Sequence, residues 1–343
     1  MSKNCDKTNN FLDILKGICI IFVIITHFSW TNDERLSFLF SYWIEMTVPI
    51  FMIISGYVYC LSYQRQNITC FSDAYHPKNI VNKMLRYTVP FLIAYILEVG
   101  YLSLIGQITI TRENLFGWIL CFFQGGLGPG SYYYPIIIQF IFLYPAIYFI
   151  INKNATRGLI TCFVINAIYE FLQCVYGVNE ELYRVLVFRY IFVIASGCYI
   201  ASPKTKLSLK KGLPLCLFGT FYIFCINYLQ YTPKIIVHWA TTSFIACLYI
   251  VPIMFWLIKK VKFCRFKPLE IIGKASYNIF LAQMVWYMVG SWHLEEIIHN
   301  RVFLLGANLL ICIVGGVIFY YIETPITKWI IKKIYTNKYL KQQ

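Results

Sequence analysis

Residues 134–151 read YPIIIQFIFLYPAIYFII, and residues 304–322 read LLGANLLICIVGGVIFYYI. Neither run alternates in polarity, and neither keeps a polar stripe at helical spacing. Segments that are apolar on every face belong to helices solvated by lipid and by each other. Stretches of the same kind recur: FVIITHFSW at 22–30, VPIFMIISGYVYCL at 48–61, VPFLIAYIL at 89–97 and YRVLVFRYIFVIASGCYI at 183–200. In hydrocarbon only helices and closed barrels satisfy their own backbone polar groups. Barrel strands would change polarity at every second residue, and these runs do not. The sequence therefore predicts an all-α, polytopic transmembrane helix bundle.

Composition points the same way. The 343 residues are 59% apolar and 13% charged, whereas a soluble domain carries about 25% charge, and mean hydropathy is +0.62. A net charge of +15 raises the question of nucleic acid. That reading fails because the positive residues are sorted by loop. The 13 cysteines are scattered, mostly inside apolar runs, with no CxxC or Cys/His metal spacing. They read as small apolar packing residues, and no metal is expected. The first apolar run lacks a small-residue cleavage site and leads into further runs, so it reads as a span and not as a signal peptide.

Ten spans are expected, at 11–30, 40–62, 84–106, 132–152, 158–176, 185–201, 213–230, 235–258, 271–290 and 303–322, since each needs about 20 residues to cross. LFGWILCFF at 115–123 is too short. It predicts a re-entrant or interfacial piece, ended by the glycine-rich turn GGLGPGS at 125–131. Placing the N-terminus inside puts Lys3, Lys7, Lys78, Lys153, Arg157, Lys204, Lys206, Lys259, Lys260 and Lys262 in the cytoplasm. The opposite loops hold Asp33, Glu34, Glu113, Glu180, Glu181, Glu295 and Glu296. Both termini are then cytoplasmic. A membrane domain spans 9–330 and a basic tail spans 331–343. No two halves look alike, as a transporter built from repeats would show.

Ionisable residues inside a membrane are expensive and suggest function. Lys16 and His27 are eleven residues apart on the first span. That is almost three turns, so the two share a helix face about 16 Å apart. Lys16 reads either as a snorkelling anchor or as a site cation. His27 reads either as an inert interfacial histidine or as a general base, because imidazole titrates near neutrality. Ser55-Gly56 lets a second backbone approach closely and offers a hydroxyl. Lys83 and Arg86, three apart, share a face at the start of the third span. They suit either phosphate or topological anchoring. Tyr277, Asn278 and Gln283 make the ninth span unusually polar, and Glu323 precedes a proline at the end of the tenth. Glu45, Glu98 and Glu170 lie within or near spans, on faces the sequence leaves open.

These pieces, in this order, resemble the membrane-bound acyltransferase 3 family, which includes bacterial polysaccharide O-acetyltransferases. Lys16 through His27 is similar to its Arg/Lys-x10-His motif. Phe51-Met52-Ile53-Ile54-Ser55-Gly56-Tyr57 resembles its Phe-Phe-x-x-Ser-Gly-Tyr motif, with Met for the second Phe. Lys83 and Arg86 stand where the family has Arg-x-x-Arg. Gly273-Lys274-Ala275-Ser276-Tyr277 matches Gly-Lys-x-Ser-Tyr, Phe280-Leu281-Ala282-Gln283 matches Tyr-Leu-x-His with Gln for His, and Glu323-Thr324-Pro325 is the closing Glu-x-Pro. The resemblance covers residues from about 9 to 330. It lacks the extracytoplasmic esterase-like domain of some members.

The resemblance implies an O-acyltransferase of the bacterial cytoplasmic membrane. Its co-substrate would be cytoplasmic acyl-coenzyme A, with acetyl the expected group. Its acceptor would be a carbohydrate or glycolipid hydroxyl of the cell envelope. It implies His27 as the catalytic residue, Lys16, Lys83 and Arg86 at the coenzyme A phosphates, and Ser55, Tyr277, Gln283 and Glu323 as supporting polar groups. Two other classes fit ten polar-studded spans: a transporter or flippase for a lipid-linked sugar or small solute, and a membrane sensor without turnover, which the Gln at 283 suits.

Overall fold

The computed structural model describes residues 2–340 apart from 204, 206 and 262–264, and the side chains of 2–9, 209 and 335–340 lie outside that description. Lys204, Lys206 and Lys262, and the side chains of Lys3 and Lys7, therefore lie outside the described residues. Among those described, the chain is helical with no strand. The helices that matter here are α1 (Ser2–Thr26), α2 (Asn32–Ser37), α3 (Thr47–Arg65), α4 (Pro77–Leu104), α5 (Leu115–Gln124), α6 (Tyr133–Lys153), α7 (Ala155–Tyr176), α8 (Ile191–Ala201), α9 (Leu209–Tyr228), α10 (Cys247–Lys260), α11 (Lys267–Lys274), α12 (Ser276–Val289) and α13 (Arg301–Leu340).

By length and composition, six helical segments can cross a membrane: Phe40–Arg65, Phe71–Leu104, Tyr133–Lys153, Ala155–Tyr176, Ala240–Lys260 and Arg301–Ile334. The other four expected spans take different forms. The first lies on α1, which begins well before the apolar run and carries charged residues in its first half. The span at 185–201 is a 3-10 turn, Val187–Tyr190, followed by the short α8. The span at 213–230 lies on the 20-residue α9. The span at 271–290 is broken at Ala275, between α11 and α12. The piece at 115–123 is the ten-residue α5, closed by Gly125 at φ 104°. Tyr95 ties α5 to α4 by donating its hydroxyl to the Trp118 carbonyl at 2.7 Å.

The bundle is apolar outside as well as inside. On α7, Ile160, Val164, Ile168, Phe171 and Val175 form an exposed stripe, while Asn166 and Glu170 point inward and are buried. That inversion of the water-soluble pattern is what lipid solvation demands. Each of these two buried groups has one hydrogen-bonded oxygen. Asn166 Oδ1 accepts from the Phe192 amide at 3.3 Å, and Glu170 Oε1 accepts from the Tyr183 hydroxyl at 2.8 Å.

Two apolar clusters divide the core. One gathers residues of α3, α6, α8 and α10, and the other gathers residues of α1, α4, α12 and α13. The tightest crossing in the first joins α3 to α8. A Cβ added to Gly56 would run into the Ile194 carbonyl, and one added to Gly197 into the Ile53 carbonyl. Small residues let the two backbones touch there, and this fixes the neighbouring Ser55. Helix α1 sits between the clusters, packed on α3, α11, α12 and α13.

Candidate active site

Two cavities lie along α1. The first, about 240 Å³, is lined by Lys16, Ile20, Val23 and His27 of α1 and the stretch after it, by Phe51 and Ser55 of α3, and by Tyr87, Gly130, Tyr132 and Tyr133. Gly273, Lys274, Ser276, Tyr277 and Phe280 close it on the α11–α12 side. The second, about 300 Å³, is lined by Val23, Thr26, His27, Arg35, Glu45, Val48, Tyr132, Arg189, Tyr190, Trp239 and Thr242. Val23, His27, Val48 and Tyr132 belong to both walls. His27 therefore lines two chambers, one walled by Lys16 and Lys274, the other by Arg35 and Arg189.

The register of α1 explains this placement. Lys16, Ile20, Val23 and His27 follow one another at helical spacing on one face, and α1 ends at Thr26. His27 follows directly, half-buried, and no side chain among the described residues shares a hydrogen bond with its ring. Opposite it, Gly130 holds φ +83°, and a Cβ there would meet the Phe280 ring at 2.8 Å and His27 Nε2 at 3.6 Å. The loop carrying Gly130 rests on Glu98 of α4. That carboxylate is fully buried, and its Oε2 accepts from the Leu127 amide at 3.3 Å.

The first chamber is cationic. Lys16 Nζ lies 3.2 Å from Asp13 Oδ1 on the preceding turn, and its side chain remains about a quarter exposed, at 26%. Tyr277 donates its hydroxyl to the Tyr87 carbonyl at 3.0 Å. Ser55 has no such engagement, so its hydroxyl is available to the chamber. The second chamber mixes signs. Arg35 Nη1 pairs with Glu45 Oε1 at 3.3 Å, and Ser41 donates to the other Glu45 oxygen at 3.0 Å.

The structure brings together some of the residues singled out in the sequence and separates others. Lys16, His27, Ser55 and Tyr277 line one cavity. Lys83 and Arg86 do not. Lys83 Nζ lies 4.5 Å over the rings of Tyr59 and Tyr63, one helical turn before the cavity residue Tyr87, and Arg86 is exposed. Gln283 is fully buried outside both walls, with neither amide atom partnered. Glu323 accepts from Asn278 Nδ2 at 3.1 Å and from the Thr327 hydroxyl, so it fastens α13 to α12 rather than pairing with a lysine.

The sequence reading passed over Lys274, Tyr87, Tyr132 and Arg189. Lys274 stood inside a quoted motif. Arg189, like Arg184 five residues before it, was a cation in an apolar run, which is itself the signal of a functional position.

A helix bundle with apolar outer faces and a histidine on the walls of two cation-bearing cavities is the class of protein that the fold and the site define. Comparison with known proteins narrows that class. The family model described as an acyltransferase domain, acyltransferase 3, matches residues 9–322. The chain belongs to the acyltransferase 3 family and is a membrane acyltransferase. Neither a curated protein nor a solved structure matches it.

Proposed function

We propose that the protein moves an acyl group, acetyl by preference, from acyl-coenzyme A to a hydroxyl of a carbohydrate or other envelope acceptor at the bacterial cytoplasmic membrane. The observation that carries this reading is that His27 lines both chambers. In this reading ten helical passes carry both termini to the cytoplasm, because that arrangement gathers the lysine-rich loops on one side. The chamber of Lys16 and Lys274 then opens toward the cytoplasm. Those two cations, with Lys83 and Arg86 beyond Tyr87, suit the phosphates of the donor.

A sugar hydroxyl has a high pKa and attacks a thioester poorly. The neutral His27 imidazole takes the hydroxyl proton as the oxygen attacks the acyl carbon. The tetrahedral oxyanion needs a donor, and Ser55 supplies it, since the Tyr277 hydroxyl is already given to Tyr87. Collapse breaks the carbon–sulfur bond. The proton held by His27 passes to the leaving thiolate, giving an ester and coenzyme A. Glu323 acts at a distance by holding α13 to α12.

The test uses purified protein in proteoliposomes, with acetyl-coenzyme A on the lysine-rich face and a glycan on the other. Coenzyme A release matched by acetylated glycan is expected. Glycan crossing the bilayer unmodified, with no coenzyme A released, would replace this reading by the transporter.

A further inference from the structure

Arg189 is 4% exposed, in the 3-10 turn before α8, and lines the second chamber. Its guanidinium carbon lies 4.0 Å from the ring centre of Trp239, 4.5 Å from that of Tyr190 and 5.0 Å from that of Tyr183. Three rings thus surround the guanidinium at cation–π distance. Along its edge, Nη2 reaches Thr242 Oγ1 at 3.5 Å, while Nη1 has no partner.

Among the described residues no carboxylate lies at contact distance from it. Glu45, across the chamber, is taken by Arg35. Glu170, with Oε1 taken by the Tyr183 hydroxyl, and Glu180, which accepts from Trp239 Nε1 at 2.5 Å, make no ion pair with Arg189. Trp239 itself sits at φ 47°, a left-handed conformation that a bulky side chain adopts only when its surroundings hold it. Arginine presents a planar fork matched to carboxylate and phosphate. A caged fork on a cavity wall with one nitrogen unsatisfied is a preorganised anion receptor.

We infer that Arg189 binds an anionic group, a carboxylate or a phosphate ester, carried by the sugar that enters the second chamber, so that the protein selects acidic over neutral acceptors. The inference rests on the reading that this chamber admits the acceptor. It assigns Arg189 to specificity and leaves the proton transfer to His27. Anchoring the anion at Arg189 orients a hydroxyl of the same unit toward His27, on the shared wall.

Competition binding without any acyl donor tests it. Detergent-purified protein holds radiolabelled methyl glucuronide or, in a parallel assay, radiolabelled glucose 1-phosphate, and unlabelled methyl glucuronide, glucose 1-phosphate, methyl glucoside and coenzyme A compete. Wild type should favour one of the two acidic sugars over methyl glucoside by about 10-fold or more, the scale of one charge-assisted contact. The better of the two identifies carboxylate or phosphate. Arg189→Gln should erase the preference, Arg189→Lys should retain part of it, and Trp239→Phe, which keeps a ring over the guanidinium, should retain most of it.

Equal competition by acidic and neutral sugars in wild type, or binding of neither labelled methyl glucuronide nor labelled glucose 1-phosphate, overturns the inference without any variant. So does a preference that survives Arg189→Gln. Coenzyme A as the only Arg189-dependent competitor also overturns it, by making the site part of the donor path. Anion-selective binding without acyl transfer would instead sink the proposed reaction and leave this inference standing.

Discussion

The two chambers that share His27 are built on opposite plans. In the first, Lys16 and Lys274 stand on flexible stems, and among the described residues Lys16 pairs with Asp13 alone. In the second, every cation is fixed: Arg35 by Glu45 and the Thr26 carbonyl, Arg189 by three rings. Mobile point charges suit a long, flexible polyanion that must enter and leave. Clamped guanidinium groups suit a partner whose orientation matters. In the proposed function the difference fits the donor to the first chamber and the acceptor to the second, and their junction is then the most sensitive place in the molecule.

Closing the junction should have the largest effect. Gly130→Val forces a β-branched residue into a left-handed position beside Phe280 and His27. Strain of this kind costs about 1–3 kcal/mol, and misplacement of the reacting groups costs on the order of 10²-fold in rate. Transfer rate and melting temperature, measured together, should show the rate falling far more than the stability. Equal acylation at unchanged melting temperature would mean that the chambers do not communicate past Gly130.

Next in size is Lys16→Ala. Loss of a charge-assisted phosphate contact costs about 1.5–3 kcal/mol, so KM for the donor should rise while KM for the acceptor holds. A rise in the acceptor KM alone would reverse the assignment of the chambers. Arg86→Ala should be milder, because Arg86 is exposed and outside the cavity, and exposed ion pairs contribute roughly 0–1 kcal/mol. A donor KM effect equal to that of Lys16→Ala would show the donor stretched along α4 beyond Tyr87.

The smallest effect concerns the exposed Glu34–Arg301 ion pair, next to the chamber residue Arg35. Glu34 on α2 accepts from Arg301 at 2.6 Å, and that bond, with a backbone bond at Thr31, holds its carboxyl below the usual carboxylate range. A depressed folded-state value means that the stabilisation is fully present above the ordinary carboxylate value. It is lost as pH falls through the depressed one. Melting curves of wild type and Glu34→Gln should therefore differ slightly at neutral pH and converge in acid. A gap that widens in acid would reverse the sign of this linkage.

What the sequence made legible was whatever lay on one helix. Lys16 and His27 share α1, so spacing alone put them on one face, and Ser55-Gly56 announced the close crossing that α8 makes. Residues gathered from different elements were not legible. Arg189, Trp239 and Thr242 meet only through the fold, and nothing in the run around Arg189 says that three rings will surround it. Adjacency in sequence also misled. Gln283 and Glu323 come with motifs, yet helical rotation turns both away from the cavities, and Lys83 falls one turn short. Counting spans by hydropathy missed the break at Ala275, which separates α11 from α12 and places Gly273 and Lys274 in the first chamber wall.

The central claim is that His27 transfers the proton between the two substrates. The direct measurement is the transfer rate of His27→Gln beside its melting temperature, because Gln keeps bulk and hydrogen bonding but cannot take a proton. We predict a folded protein that still binds donor and has lost about 10²–10⁴ in rate, the usual weight of a general base. A well-folded His27→Gln protein transferring at near the wild-type rate would contradict the account.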